Sequence, residues 1–319
     1  MNGTIKCIFC LKNKKASLEH IFPDSLGGLL TTNDVCKECN DYMGRVVDSP
    51  LINNFLMEII RLTYKLQGKG GKVPNPFAKG QLRDEFPGEV HYRMTNQGDP
   101  KSLYSVPKKV IETDGETKKI KIAVDATDMD KMVKMVNGEL KKHGKEPMSR
   151  EEIIAKSTSR ITQTPKVHME KVISLDGFHK AILKIIYEVS YYLLGKDYLE
   201  DPLGDRIRIV LREESKEIEE AGLIGDIKIT NSEDSEKGLL SSCRFFANEK
   251  SIIAVLINAG NRIYCYVNLF CAFEGGFIVS EDSGKYDLKN SIGWVIENNV
   301  VSKTIEMKSY AEKVMELNK

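Results

Sequence analysis

The chain contains no long hydrophobic run. No stretch of its 319 residues approaches the roughly 18 consecutive apolar residues that a membrane-spanning helix needs. The first ten residues, MNGTIKCIFC, also lack the apolar core of a signal peptide. We therefore expect no membrane association and a cytoplasmic location.

The chain also has little net charge. Its 47 lysines and arginines nearly balance 46 aspartates and glutamates, which leaves a formal net charge of +1. An overall basic protein is excluded, so any binding of phosphate groups must come from a local patch. Residues 61–109 offer such a patch, because they contain ten basic and four acidic side chains. The alternative interpretation of that stretch is an ordinary solvated loop.

Cysteine is scarce, and its distribution does not indicate disulfides. Four of the seven cysteines form two C-x-x-C pairs, Cys7 with Cys10 and Cys36 with Cys39. In a chain without a signal peptide, this pattern favours metal binding over disulfide bonds. Two such pairs turn four sulfurs toward one point, as in a closed tetrahedral zinc site. Haem attachment is excluded because Asn40, and not a histidine, follows Cys39.

Polar residues near the cysteines indicate a second kind of chemistry. Glu19 and His20 lie between the two pairs, and Asn40 follows the last cysteine. A histidine beside a carboxylate, with an amide oxygen, suits a harder metal ion and a general base. A four-cysteine knuckle is more often structural, and a lone histidine in a strand is usually a core residue. The Glu-His pair, the Gly27-Gly28 turn and the adjacent asparagine are not needed by a plain zinc ribbon, so together they favour catalysis.

The segments EHIFP, LGG and CKECN resemble the HNH endonuclease motif, the ββα-metal finger, in its zinc-bound form. The resemblance implies that His20 is the general base that activates water and that Asn33 braces the loop. It implies that Asn40 is a metal ligand in place of the final histidine. Glu19 occupies a position where aspartate is the commoner metal ligand, and its extra methylene moves the carboxylate by about one bond length. The implied metals are a structural Zn²⁺ at the cysteines and a catalytic Mg²⁺ or Mn²⁺.

Length and patterning predict an α+β protein with at least two domains. We predict the ββα-metal finger in residues 1–50 and a linker helix and loop in 51–76. Residues 77–319 are predicted to form a larger α+β domain for recognition, sensing or dimerisation. Within it, residues 178–194 are apolar on nearly every side and predict a buried helix, and 302–317 predict a closing helix.

The sequence favours a metal-dependent endonuclease that hydrolyses DNA phosphodiester bonds in a bacterial or phage defence or restriction system. A homing or mobile-element nuclease and a non-catalytic zinc finger that binds nucleic acid stay open as alternatives, as does RNA in place of DNA. Arg45, Lys69, Lys72 and Lys79 are predicted to contact nucleic acid. The expected protein partners are a second copy of the chain, which would pair two His20 sites, or a separate defence protein.

Overall fold

The computed structural model describes residues 3–83, 87–114, 117–158, 166–171, 177–230, 243–288 and 291–318. It confirms a mixed α+β fold. The chain divides into two compact units: residues 1–74 together with 173–319, and residues 75–172. Within the described part of the chain, every helix is too short or too polar to cross a membrane.

The elements of the described residues follow one another in a mixed order. The strands are β1 (Thr4–Lys6), β2 (Asn13–His20), β3 (Thr31–Cys36), β4 (Lys79–Leu82), β5 (Glu89–Met94), β6 (Pro100–Ser105), β7 (Lys108–Asp114), β8 (Thr117–Ala123), β9 (Val167–His168), β10 (Gly225–Ile229), β11 (Ser251–Ala259), β12 (Arg262–Leu269), β13 (Phe273–Ser280), β14 (Gly293–Asn299) and β15 (Thr304–Ser309). The helices are α1 (Lys37–Tyr42), α2 (Ser49–Ile52), α3 (Phe55–Thr63), α4 (Met129–Lys142), α5 (Arg150–Ala155), α6 (His179–Leu194), α7 (Pro202–Arg212) and α8 (Tyr310–Leu317).

The N-terminal finger begins with an antiparallel sheet in the order β1-β2-β3. The turn between β2 and β3 depends on two glycines. Gly27 has a φ of 76°, a conformation that side chains rarely adopt. A Cβ atom at Gly28 would lie 1.9 Å from the carbonyl oxygen of Phe22, so no larger residue fits there. The glycine pair of the sequence motif is therefore required by the turn geometry.

The helix of the finger contains one wider, π-helical turn. A π-helical turn, Met43–Asp48, joins α1 to α2. Pro50 has no N–H group, and in a regular α-helix its ring would clash with the carbonyl group of Val46. The wider turn before Pro50 relieves this conflict, and it ends at Asp48, whose side chain points into the protein interior.

The rest of this unit is a six-stranded antiparallel sheet in the order β10-β13-β12-β11-β14-β15. Helix α6 packs on one face of that sheet. The ring of Phe178 lies 4.8 Å from that of Phe273. A Cβ atom at Gly275 would come within 2.7 Å of Ile182, so the glycine permits the close approach of the helix. The other side of α6 contacts the π-helical turn and α2 of the finger. The expected buried helix is confirmed.

From the sequence we expected residues 77–319 to form one separate domain, but the structure divides them between two units. Residues 173–319 share a hydrophobic core with the finger, and residues 75–172 form the other unit. The physical reason is that residues 181–191 of α6 are all buried, so the large sheet covers one side of the helix and the finger covers the other. The division between the two units falls after Pro74.

The expected closing helix over 302–317 is wrong in its first half. Residues Thr304–Ser309 form strand β15, which pairs with β14 at the edge of the large sheet. The helix starts only at Tyr310, because the side chain of Ser309 accepts a hydrogen bond from the backbone of Glu312 in a capping box.

The unit formed by residues 75–172 contains a four-stranded sheet in the order β6-β5-β4-β9 and the separate hairpin β7-β8. Lys109 of the hairpin forms an ion pair with the buried Glu139 of α4. This pair and that of Lys142 with the same carboxylate lower the pKa of Glu139 to about 2.

Candidate active site and zinc centre

The four paired cysteines gather at one point of the finger. The ligand atoms of Cys7, Cys10, Cys36 and Cys39 all lie within 4.8 Å of one another. Zinc–sulfur bonds of about 2.3 Å in a tetrahedron place the sulfurs about 3.8 Å apart. The sulfurs of Cys10 and Cys36 are 3.9 Å apart, so the cluster fits a zinc ion. In the described ranges, no other group of three or more cysteine, histidine or carboxylate ligands gathers in this way.

The cluster favours a thiolate even without an ion. A hydrogen bond from the thiol of Cys39 is the main reason that the pKa of Cys7 falls to about 4. The backbone N–H of Cys36 also donates to the sulfur of Cys7, over 3.4 Å. Burial raises the pKa of Cys36 to about 11. Zinc must therefore displace protons from the remaining thiols, and its charge favours that displacement.

We expect one zinc ion per chain to copurify with the protein. Removing it with a strong chelator is expected to unfold the finger, because zinc binding contributes about 10–16 kcal/mol to the folding of small zinc fingers. Metal analysis and circular dichroism measure both effects. Cys36→Ser should lose the ion, whereas Cys271→Ser, outside the cluster, should keep it. A zinc-free protein with an unchanged spectrum would contradict the assignment.

His20 is the last residue of β2 and is partly exposed. A β-bulge lies next to it. Between the pairs that Ser17 and Glu19 make with β3, two residues of β3 oppose the single residue Leu18. Bulges bend a strand and change the direction of neighbouring side chains, and they are common beside active sites. The extra residue belongs to β3, and on β2 the buried Glu19 and the partly exposed His20 alternate as in a regular strand.

Asn40 holds the bulge in place. Its side-chain Nδ2 atom donates to the carbonyl oxygen of Leu18 over 2.6 Å and to the hydroxyl of Ser17 over 3.2 Å. Because the nitrogen is used for these contacts, the amide oxygen Oδ1 points away from them and is the atom that can bind a metal ion. The structure thus brings Asn40 of α1 next to the Glu19-His20 end of β2.

Asn33 is one of the two residues of β3 that oppose Leu18, and its side chain is exposed. Next to it, the backbone N–H of Asp34 donates to the hydroxyl of Thr32 over 3.2 Å and braces the strand. Asn40 supplies the other brace, at Leu18.

Glu19 lies in a buried cluster of charges. Its Oε1 atom accepts a hydrogen bond from the ammonium group of Lys184 over 2.6 Å. Asp48 accepts from the same group over 2.9 Å, and Glu188 lies 3.5 Å away, one turn later on α6. Glu19 is 5% exposed, and Lys184 is fully buried. The expected metal ligand is therefore already paired through one of its two carboxylate oxygens.

The cluster keeps its lysine charged. Burial alone would lower the pKa of Lys184, but the charges of Asp48, Glu188 and Glu19 outweigh burial and raise the pKa well above its ordinary value. Burial in turn raises the pKa of Glu188 well above its ordinary value, against the attraction of Lys184. Three carboxylates thus share one ammonium ion in a region without water access.

Two tyrosines of α6 also bind the finger. The hydroxyl of Tyr187 donates to the carbonyl oxygen of Ile8, inside the first cysteine knuckle, over 2.6 Å. The hydroxyl of Tyr191 donates to Asp34 of β3 over 3.2 Å. Together with Lys184, these residues form one polar stripe along the helix.

The large sheet supplies a further contact to the finger. Asn298 of β14 is fully buried and uses both ends of its amide group. Its oxygen accepts from the backbone N–H of Leu29 over 2.8 Å, and its nitrogen donates to the carbonyl of Gly27 over 3.0 Å. The turn that follows His20 is therefore fixed by the C-terminal part of the chain.

Sequence reasoning missed Lys184, Asp48, Glu188, Tyr187 and Asn298. A usable signal existed for two of them. Lys184 and Glu188 are four residues apart in a helix whose other faces are apolar, so their charges had to be paired inside the protein. The other three carried no local pattern that would mark them.

The predicted phosphate-binding residues are exposed and belong to different compact units. Arg45, Lys69 and Lys72 are exposed in the unit that contains the finger, whereas Lys79 belongs to the other unit, 4.0 Å from Glu89. Arg61, which we counted in the basic stretch, is 5% exposed and donates to the carbonyl oxygen of Ile52. It is therefore not accessible to phosphate groups.

The geometry defines a ββα finger with a four-cysteine zinc centre and a histidine–asparagine pair beside it. The family model of HNH endonucleases matches residues 7–56, so this N-terminal segment is similar to the HNH endonuclease domain. No curated protein and no solved structure is significantly similar to the chain.

Proposed function

We propose that the protein is a metal-dependent endonuclease that hydrolyses DNA phosphodiester bonds, with His20 as its general base. One observation carries the proposal: within a matched HNH domain, Asn40 bridges to the strand end that bears Glu19 and His20. It supports the proposal because the strand end that bears Glu19 and His20 and the helix of Asn40 are joined by hydrogen bonds within the matched segment.

In the proposed mechanism, His20 accepts a proton from the attacking water molecule. Asn40 Oδ1 and the second carboxylate oxygen of Glu19 would hold Mg²⁺ or Mn²⁺, which supplies charge neutralisation at the phosphate group. So few protein ligands suffice because phosphate oxygens and water complete the shell of Mg²⁺. A zinc ion held by all four cysteine thiolates would have no open position for substrate and would stabilise the finger only.

The test is incubation of the purified zinc-loaded chain with plasmid, linear duplex DNA, single-stranded DNA and RNA. Each substrate is tested with Mg²⁺, with Mn²⁺ and with a chelator that leaves the zinc in place. We expect cleavage of duplex DNA only with an added divalent ion. Cleavage of RNA alone would change the proposed substrate from DNA to RNA. Absence of cleavage under every condition would refute the proposal.

A non-catalytic zinc finger that binds nucleic acid is the second candidate. It is favoured by the pairing of Glu19 with Lys184, which reduces the negative charge available to a catalytic metal ion. The same experiment separates the two functions, because a binding finger would retard duplex DNA in a gel without cutting it at any metal concentration.

For the biological role we propose defence against foreign DNA from within the cytoplasm. A DNA substrate and seven cysteines without a disulfide among them fit a reducing compartment. The unit of residues 75–172 is a separate body that could serve recognition, partner binding or pairing of two chains. Phage plating on cells with the wild-type chain or His20→Ala tests the role: protection should require His20. If the protein instead recognises one long sequence that occurs once in a genome, the result would favour a homing nuclease.

A further inference from the structure

Lys184 connects two parts of the finger that carry different catalytic groups. Its ammonium group lies 2.6 Å from Glu19, the residue before His20, and 2.9 Å from Asp48. Asp48 ends the π-helical turn that continues the helix of Asn40. One side chain from α6 therefore binds both the strand of the base and the helix of the metal-binding amide.

We propose that Lys184 is a positioning residue of the nuclease site. By holding Oε1 of Glu19, it fixes the carboxylate so that the other oxygen is presented to the catalytic metal ion, and it fixes the strand end at His20. This inference rests on the proposed function, since it assigns Lys184 a part in the same reaction.

Burial makes the contact specific. Lys184 and Glu188 are fully buried, and Glu19 and Asp48 are 5% and 6% exposed. Water cannot replace the ammonium group in such a site. Without it, the buried carboxylate groups of Glu19 and Asp48 lose their shared hydrogen-bond donor, and Glu19 is no longer held in one position. A metal ligand displaced in this way no longer holds the ion beside His20.

The contact also accounts for glutamate at position 19. The Glu19 oxygen lies 2.6 Å from Nζ of Lys184. An aspartate is shorter by one methylene, which would open this distance to about 4 Å, beyond hydrogen-bonding range. The longer side chain can bind Lys184 on one side and a metal ion on the other.

The first variant is Lys184→Met in the full chain. We expect kcat to fall about 10- to 100-fold and the Mg²⁺ concentration for half-maximal rate to rise by a similar factor, as for other residues that orient metal ligands. KM for duplex DNA should stay within about threefold, because Lys184 cannot reach the nucleic acid. Zinc content and unfolding temperature are measured on the same preparation.

Lys184→Met alone leaves buried carboxylates without a counter-charge, so the decisive variant adds Asp48→Asn. This double variant, Lys184→Met with Asp48→Asn, removes one charge of each sign, and its activity is compared with that of Asp48→Asn alone. Lys184→Arg is the second variant: it keeps the positive charge but changes the reach, and kcat should fall about fivefold or more. Tyr191→Phe is the matched control, because it removes another hydrogen bond between α6 and the finger without touching Glu19.

A lower kcat and a raised metal requirement in a zinc-loaded double variant, with Tyr191→Phe unaffected, support the inference. The same kcat and metal requirement as Asp48→Asn would overturn it, and so would an equal loss in Tyr191→Phe. In both cases the wild-type chain still cleaves DNA, so the proposed function stands. A wild-type chain that cleaves nothing with any divalent ion would overturn both.

Discussion

Replacing His20 with alanine is expected to lower kcat by about 10²- to 10⁴-fold, the usual contribution of a general base. The fold should survive, because His20 is partly exposed at the end of β2 and its removal leaves no buried group without a partner. Zinc content should also be unchanged, since the ion is bound by the four cysteines. Initial cleavage rates at saturating DNA and Mg²⁺ measure the effect.

The matched control is His168→Ala, a partly exposed histidine in the other compact unit. It removes an imidazole of similar exposure and should leave the rate unchanged. If His20→Ala cleaves DNA at the wild-type rate while it retains zinc, the general base lies elsewhere and the assignment of roles to Glu19 and Asn40 loses its basis.

A chain that ends after residue 76 is expected to be inactive and largely unfolded. In the whole protein the finger shares its hydrophobic core with α6, including Phe9, Phe22 and Val47, which are at most 1% exposed. Truncation exposes this surface and removes Lys184 from the buried carboxylates of Glu19 and Asp48. Loss of one partner of a buried ion pair alone costs about 3–5 kcal/mol, which is comparable to the whole stability of a small domain.

Excision of residues 75–172, with a long flexible linker in their place, is the control for that truncation. Each contact between finger, α6 and β14 lies within residues 1–74 and 173–319, so the excised chain should keep its zinc and still cleave plain duplex DNA. Zinc analysis, an NMR spectrum and cleavage assays compare the two. A 76-residue finger that is folded and cleaves at the full rate would contradict the shared core.

The four-cysteine cluster could be predicted from the sequence because its residues lie in one short segment. Two C-x-x-C pairs close a zinc site whatever surrounds them, and the Glu-His dipeptide and Asn40 have fixed spacings from those pairs. The glycine pair was informative for the same reason, since the turn it forms depends on local backbone geometry.

The environment of these groups depends on contacts that no local pattern encodes. The all-round apolar character of α6 predicted burial but could not identify the finger and the large sheet as its two neighbours. For that reason we did not predict that Lys184 pairs with Glu19, or that Asn298 donates a hydrogen bond to the carbonyl of Gly27. The same gap explains why residues 77–319 were predicted as one domain.

Cleavage in water enriched in ¹⁸O tests the central claim most directly. If His20 activates water for attack on phosphorus and the 3′-oxygen leaves, each cut should produce one end with a 5′-phosphate that contains one ¹⁸O atom and another end with a 3′-hydroxyl. Mass spectrometry of the products of a short defined duplex, with Mg²⁺ and with the His20→Ala chain as the blank, provides the measurement. Unlabelled 5′-phosphates, 3′-phosphate ends, or the same products formed at the wild-type rate by the His20→Ala chain would contradict metal-dependent hydrolysis at this site.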